Sequence, residues 1–340
     1  MSRTEPALAR RLCHAVLSFT ALGMIAALAP SQAEAGLDHH HGHLNRGGHA
    51  VAHAAHPGGG KSGGGYEPPY AAIVVDTNSG EVLEAATTDS LRHPASLTKI
   101  MTLYVLFEQL NAGKLRLDSR LTISAHAAAQ EPTKLGLAPG QTIEVEDAIK
   151  AIVTKSANDI AVAVAEAIGG SEDEFARIMT RRAHALGMIH TTYVNASGLP
   201  KDAQITTARD LALLARAIQD DFSKYYRYFS TLTFKYHGMS IRNHNHLLGR
   251  VDGVDGIKTG YTRASGFNLV SSVHRGDRRI VAVVLGGTSS SARDARMRSL
   301  IEEHMAEASS HRASSIAVPI DGRKSDAIKT LYALPVVRRH

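Results

Sequence analysis

The chain has no tryptophan, only 5% aromatic residues and a single cysteine, Cys13. One cysteine excludes an intramolecular disulfide and any zinc site built on cysteine pairs. So few aromatic rings argue against a nucleic-acid binder that stacks bases. A run of one charge sign is also missing. The 38 basic and 32 acidic residues leave a net charge of +6 that is spread along the chain without a Lys/Arg block. That balance reads as mild attraction to anionic surfaces and not as a nucleic-acid footprint. A mean hydropathy of -0.12 excludes a polytopic membrane protein. What is present is globular in proportion: 340 residues, 44% hydrophobic and 21% charged, with room for one large domain or two small ones.

The cysteine falls in residues 1–35, which have the pattern of a secretory signal peptide. Arg3, Arg10 and Arg11 supply the positive start, Ala15–Ala29 is an apolar run, and Ser31-Gln-Ala33 and Ala33-Glu-Ala35 are small-x-small cleavage sites. The alternative is an uncleaved anchor, for which the run is short. Cleavage near Ala33 or Ala35 leaves a cysteine-free, exported chain. Residues 36–66 carry seven histidines (His39, His40, His41, His43, His49, His53 and His56) among Gly and Ala. Such a stretch buries too little apolar area to offset its ordering entropy and reads as a disordered leader. Transition-metal capture is the competing reading, with irregular spacing against it.

Order is expected from residue 67 onward. Ala71–Asp76 and Glu81–Ala85 read as strands joined by the turn Asn78-Ser-Gly80, which makes a hairpin. Ser96–Leu110 is apolar on most sides, as in a buried helix. Helices follow over Glu146–Thr154, Asn158–Ile168, Glu172–Leu186 and Ala208–Ile218. Strands return at Gly256–Thr262, Phe267–Val273 and Ile280–Leu285, and a last helix spans about Ala292–Glu307. Strands at both ends with helices between predict an α+β domain over 67–308. An antiparallel sheet is closed by the two ends of the domain, and a helical lobe is inserted. Residues 309–340 form a short tail. It contains Ile328, Leu331 and Leu334, but Pro335 breaks any helix there, which argues against membrane docking.

Three short motifs carry chemistry. Ser96-Leu-Thr-Lys99 puts a hydroxyl and an amine three residues apart on one helix face, just after Pro94, which marks a helix start. Ser156-Ala-Asn158 lies at a junction of two predicted helices, where ordinary capping is the competing reading. Lys258-Thr-Gly260 lies on a late strand and offers a cation and a hydroxyl to a carboxylate, with Gly260 leaving room for a nearby backbone. Each is weak alone. Their order is the pattern of serine penicillin-binding proteins and β-lactamases.

Further segments narrow the resemblance: Pro94–Thr102, Lys155–Asp159, Asn195-Ala-Ser-Gly-Leu199, Thr207–Leu211, Val254–Thr262 and Gly266–Val270. Over roughly residues 67–308 the chain resembles the low-molecular-mass D-alanyl-D-alanine carboxypeptidases of peptidase family S11, without the C-terminal β-domain that many members carry. The resemblance implies a DD-peptidase/β-lactamase-like fold and a periplasmic serine enzyme that trims the terminal D-alanine from peptidoglycan stem peptides and is acylated by β-lactams. It implies Ser96 as nucleophile, Lys99 as base, and Ser156 and Asn158 as proton relay and orienting group. Lys258, Thr259, Gly260, Tyr261 and Arg293 are the implied substrate-binding residues. Tyr261 replaces a residue that is often His in relatives and is expected to matter through its backbone N–H. Arg293 could equally be a surface arginine on the last helix. No metal or other cofactor is required. A DD-endopeptidase and a non-turnover penicillin sensor stay open as alternatives. A β-lactamase is disfavoured because no E-x-x-L-N-like loop occurs between Gly170 and Leu199.

Overall fold

Strand β1 (Ala71–Asp76, AAIVVD) is buried along its whole length. The computed structural model, which describes residues 68–313, explains why so apolar a strand is tolerated: both of its faces are covered. Ala71, Ile73 and Val75 enter the larger core with the helices, whereas Ala72 and Val74 enter a second core behind the sheet. The alternation is the period of two that a pleated strand imposes. The same division recurs on β9 (Arg278–Gly287), where Val281, Val283 and Leu285 face one core and Ile280, Ala282 and Val284 the other.

The sheet is antiparallel, in the order β2-β1-β9-β8-β7, with β2 at Val82–Ala86, β7 at Val254–Thr262 and β8 at Gly266–Arg275. First and last strands are neighbours, Ile73 opposite Val283, so the expected closure by the two ends of the domain holds. Strand β7 is an edge, and its open side faces the helical lobe. Helix α1 (Thr98–Asn111) is buried from Thr98 through Phe107 and again at Leu110. It runs through the middle of the lobe, surrounded by α4 (Asn158–Gly169), α5 (Glu172–Ala185) and α6 (Ala208–Asp221). Phe107 anchors it among Phe222, Tyr225 and Phe229 at ring separations of 5.9, 5.2 and 6.3 Å. Truncation of such a buried ring costs about 3–5 kcal/mol. Behind the sheet, α8 (Ser290–His304) starts where the Ser289 hydroxyl accepts from the Ala292 N–H and closes the second core with Met297, Leu300 and Ile301.

Besides a 3-10 turn at Arg227–Ser230, six short helices and strands among the described residues lie outside the expected set. They are β3 (Arg120–Thr122), α2 (Ala125–Ala128), β4 (Thr142–Glu144), α7 (Ser223–Tyr226), β5 (Thr233–Tyr236) and β6 (Met239–Arg242), with α3 (Val145–Thr154) lying among them as predicted. Strands β3 and β4 pair as one ribbon and β5 with β6 as another. Each of β3 and β4 buries one side chain, too few for a hydrophobic period to show in sequence. The expected signal peptide and His-rich leader, and residues 314–340 of the expected tail, lie outside the described residues. Among the described residues no helix is long and apolar enough to cross a membrane.

Candidate active site

The Ser96 segment is a tight one. Pro94 leads into a 3-10 turn over Ala95–Leu97 that runs on into α1. Ala95 has φ +49°, a left-handed conformation that an L-residue adopts at a cost on the order of 1 kcal/mol. Two glycines press on this turn. A Cβ on Gly198 (φ +85°) would lie 1.9 Å from the Ala95 carbonyl oxygen, and one on Gly260 would lie 3.1 Å from the Ser96 nitrogen. The Ser96 backbone is therefore gripped between the 195–199 turn and strand β7, and the expected close approach at Gly260 is the Ser96 segment itself.

At the second position of α1, Lys99 is fully buried. Its Nζ lies 2.7 Å from Asn158 Oδ1, 2.5 Å from the Ser197 carbonyl oxygen and 3.4 Å from Ser96 Oγ. The Asn158 orientation is fixed because its Nδ2 donates to the Glu131 carbonyl at 2.8 Å, leaving Oδ1 toward the lysine. Two of the three partners of Lys99 can only accept. In its neutral form the amine has two N–H bonds and one lone pair, so both hydrogens go to these two acceptors and the lone pair is left toward the Ser96 hydroxyl. Burial pushes the Lys99 pKa well down, and the nearby charge of Lys258 pushes it further, against the opposing pull of Asp159 and Glu172.

Ser156 sits between α3 and α4 with φ +59°. Its Oγ is buried, lines the cleft and has no hydrogen-bond partner among the described residues. Asn158 and Asp159 open α4 and hold the facing loop. The Asn158 N–H donates to Thr133 O, and the Asp159 carboxylate accepts from the N–H groups of Leu135 and Gly136. Pro132 and Thr133 thereby become part of the cleft wall.

Strand β7 forms the opposite wall with Thr259, Gly260, Tyr261 and Thr262. Lys258 is 1% exposed and donates to the Thr259 carbonyl at 2.9 Å, so it stands behind this wall and not on it. Burial, aided by Arg293, pushes its pKa down to about 7. Arg293 is not a surface residue: it is 4% exposed, lines the cleft, and is held by Asp294 Oδ1 at 2.9 and 2.7 Å. The Tyr261 ring is 55% exposed and packs 4.2 Å from that of Phe267 at the cleft mouth, adding an aromatic rim where only a backbone N–H was expected.

His244 and His246 also line the cleft and were missed. Their signal is a period of two in Asn243-His-Asn-His246. Asn243 Nδ2 donates to Thr231 O and Asn245 Nδ2 to Gly256 O, which ties the asparagines down and leaves the histidines toward the cleft. Partial burial, with Lys258, Lys155, His246 and Arg293 around it, pushes the His244 pKa down to about 4. The cleft has a volume of about 390 Å³, and among the described residues that line it none is an Asp or Glu. Among the described residues no three His, Cys, Asp or Glu side chains gather as a metal site.

Residues 69–289 match the sequence profile of Peptidase S11, D-alanyl-D-alanine carboxypeptidase. The chain is 37% identical over 236 residues to D-alanyl-D-alanine carboxypeptidase DacA of Escherichia coli K12, covering 67% of this chain and 59% of that protein. It therefore spans less than two thirds of that relative. Its structure is similar to penicillin binding protein 5 from Haemophilus influenzae (TM-score 0.68, 31% identity, 71% of this chain and 73% of that one). It is also similar to Penicillin-Binding Protein D2 from Listeria monocytogenes in its ampicillin-bound form (TM-score 0.60, 30% identity, 68% and 95%). The α+β architecture is thus that of the DD-peptidases, and a profile match of this length puts the chain in peptidase family S11, the D-alanyl-D-alanine carboxypeptidase family.

Proposed function

We propose that the protein is a periplasmic serine D-Ala-D-Ala carboxypeptidase acting on peptidoglycan stem peptides. The observation that carries this reading is the Lys99 amine, whose two strict acceptors leave its lone pair for the Ser96 hydroxyl. Ser96 Oγ attacks the carbonyl of the penultimate D-alanine as Lys99 takes its proton. The backbone N–H groups of Ser96 and Tyr261 hold the oxyanion, each donor being worth roughly 10²–10³ in rate. The C–N bond then breaks, and the leaving D-alanine amine receives a proton relayed through the unpartnered Ser156 hydroxyl. Water hydrolyses the ester, with Lys99 again as base. Thr259 and Arg293 bind the terminal carboxylate, and Lys258 reinforces them with positive charge from behind the wall. β-Lactams acylate the same serine. Among the described residues that line the cleft none is a carboxylate, which supports slow release of that adduct, in contrast to a β-lactamase with a carboxylate base.

The signal peptide over 1–35, the leader over 36–66 and the tail over 309–340 belong to the same proposal. A chain beginning at Tyr66 should fold and keep its activity. The test of the function is labelling with fluorescent penicillin followed by an assay of D-alanine release from a pentapeptide. Ser96→Ala should give neither adduct nor D-alanine. A labelled peptide lacking Ser96 removes the assignment. Cleavage of cross-linked muropeptides without release from free termini selects the endopeptidase alternative, and an adduct with no turnover of either substrate selects a penicillin sensor.

A further inference from the structure

Glu172 is the first residue of α5, where a carboxylate ordinarily serves the helix dipole. Here that service is redundant, because Asp173 and Glu174 occupy the same first turn and Ser171 caps it. The Glu172 side chain is turned to another task. Its Oε1 accepts from the Ala196 N–H at 3.0 Å, and its Oε2 pairs with His126 Nε2 at 2.8 Å. It is only 12% exposed and does not line the cleft.

The turn it holds touches the nucleophile's helix at three successive residues. The Ala196 carbonyl accepts from Thr102 Oγ1 at 2.7 Å, the Ser197 carbonyl accepts from Lys99 Nζ, and Gly198 lies against Ala95. From within the turn, Asn195 Oδ1 accepts from the N–H groups of Ser197 and Gly198. From α5, the carboxylate of Glu172 supplies the hold on Ala196.

We infer that Glu172 is a positioning residue for the Lys99 amine, acting through the Ala196–Gly198 turn. The inference rests on the acyl-enzyme reading above and deepens it. Two consequences separate. The hydrogen bond to Ala196 sets where the Ser197 carbonyl lies and so where the amine points, while the charge acts on the amine through space. The charged groups bearing on Lys99 are Lys258 from β7, which disfavours its protonated form, and Asp159 from α4 and Glu172 from α5, which favour it. The Asp159 carboxylate already accepts three backbone N–H bonds, from Leu135, Gly136 and Ile160.

Glu172→Gln separates geometry from charge. Its amide oxygen still accepts from Ala196, and its nitrogen faces a His126 ring nitrogen that can accept. Removing the negative charge lets Lys99 lose its proton more readily, so the acidic limb of the acylation profile should move to lower pH by about 0.5 unit or more. The plateau rate should stay within about threefold of wild type, since the turn is still held. Glu172→Ala loses both and should acylate at least roughly tenfold more slowly at every pH. The experiment measures the rate of Ser96 labelling by fluorescent penicillin from pH 5 to 10 on the full chain, with melting temperatures alongside. A merely structural role slows both variants in step with lost stability and leaves the limb in place. The inference is overturned on its own if wild type is labelled but Glu172→Ala matches its rate. It is overturned equally if Glu172→Gln leaves the limb unshifted, and this variant decides the matter should the alanine variant fail to fold. Absence of a Ser96 adduct in wild type overturns the acyl-enzyme reading as well.

Discussion

Each wall of the cleft contains one buried lysine, and the two are built into the fold in opposite ways. On the helical wall, Lys99 has three side-chain or carbonyl partners drawn from the 3-10 turn before α1, from α4 and from the 195–199 turn. On the sheet wall, Lys258 donates to the carbonyl of its own neighbour, Thr259. Burial depresses both amines, so desolvation alone does not distinguish a base from an electrostatic group. The distinction is geometric. In its neutral form the Lys99 amine commits both hydrogens to acceptors and keeps its lone pair toward Ser96, whereas Lys258 donates to the backbone beside it.

The hardest blow to this contrast is arginine at position 99. A guanidinium keeps positive charge but cannot lose its proton at working pH. If Lys99 is the base, Lys99→Arg and Lys99→Ala should both lose about 10²–10⁴ in acylation rate. An active Lys99→Arg enzyme moves the base role to Ser156 or Lys258. Next comes the grip on the Ser96 segment. In Gly198→Ala the new methyl meets the Ala95 carbonyl at 1.9 Å in a backbone with φ +85°. Relief requires displacing Ser96 or the Ser197 carbonyl. A misplacement of about 1 Å costs on the order of 10² in rate, read as slower labelling in protein that is still folded. Labelling at the wild-type rate would show the two segments yield easily.

The motifs on the helical wall were legible because they depend on local spacing: Ser96 and Lys99 share a helix face, and Ser156 and Asn158 flank a helix start. The sheet was legible for the same reason, since β1, β7, β8 and β9 are long enough to show their apolar content. What sequence concealed was depth. Whether Lys258 lines the cleft or is buried beside it, and whether Arg293 is a cleft residue or a surface arginine, is decided by tertiary packing that leaves both almost fully buried. His244 and His246 reach the cleft through asparagine anchors whose partners, Thr231 and Gly256, lie 12 and 11 residues away in the chain. No pattern in the local sequence names those partners.

A smaller effect tests the charge on the sheet wall. Removing Lys258 takes away a cation that holds the Lys99 pKa down, so the acidic limb of acylation should move to higher pH in Lys258→Ala. With a pKa of about 7, Lys258 is charged below that pH and largely neutral two units above it. The loss in rate should therefore be roughly tenfold near pH 6 and shrink toward pH 9. Lys258→Arg keeps the charge at every pH and should show no such convergence. A loss in Lys258→Ala that is independent of pH would make the residue a structural support and not a source of field.

The smallest effect is on stability, and it bears on the comparison most directly. Lys258 has a folded pKa of about 7 against an ordinary value of 10.5. Between those two values the unfolded chain binds more protons than the folded one, so stability rises with pH across this window. Below pH 7 both states are protonated and the burial penalty is constant, whereas above 10.5 it is gone. Lys258→Met removes that penalty and leaves one backbone carbonyl without its donor. The variant should be more stable than wild type by roughly 0.5–2 kcal/mol at pH 7, a gain of a few degrees in melting temperature that shrinks toward pH 10. Lys99→Met removes a similar penalty but orphans Asn158 Oδ1 and the Ser197 carbonyl in a buried site, each at a cost of about 1–3 kcal/mol. It should gain less than Lys258→Met or lose stability outright. Melting curves of the two variants from pH 6 to 10 decide the matter: if Lys99→Met is the more stable, the hydrogen bonds around Lys99 do not hold it as its geometry implies, and the contrast between the two walls fails.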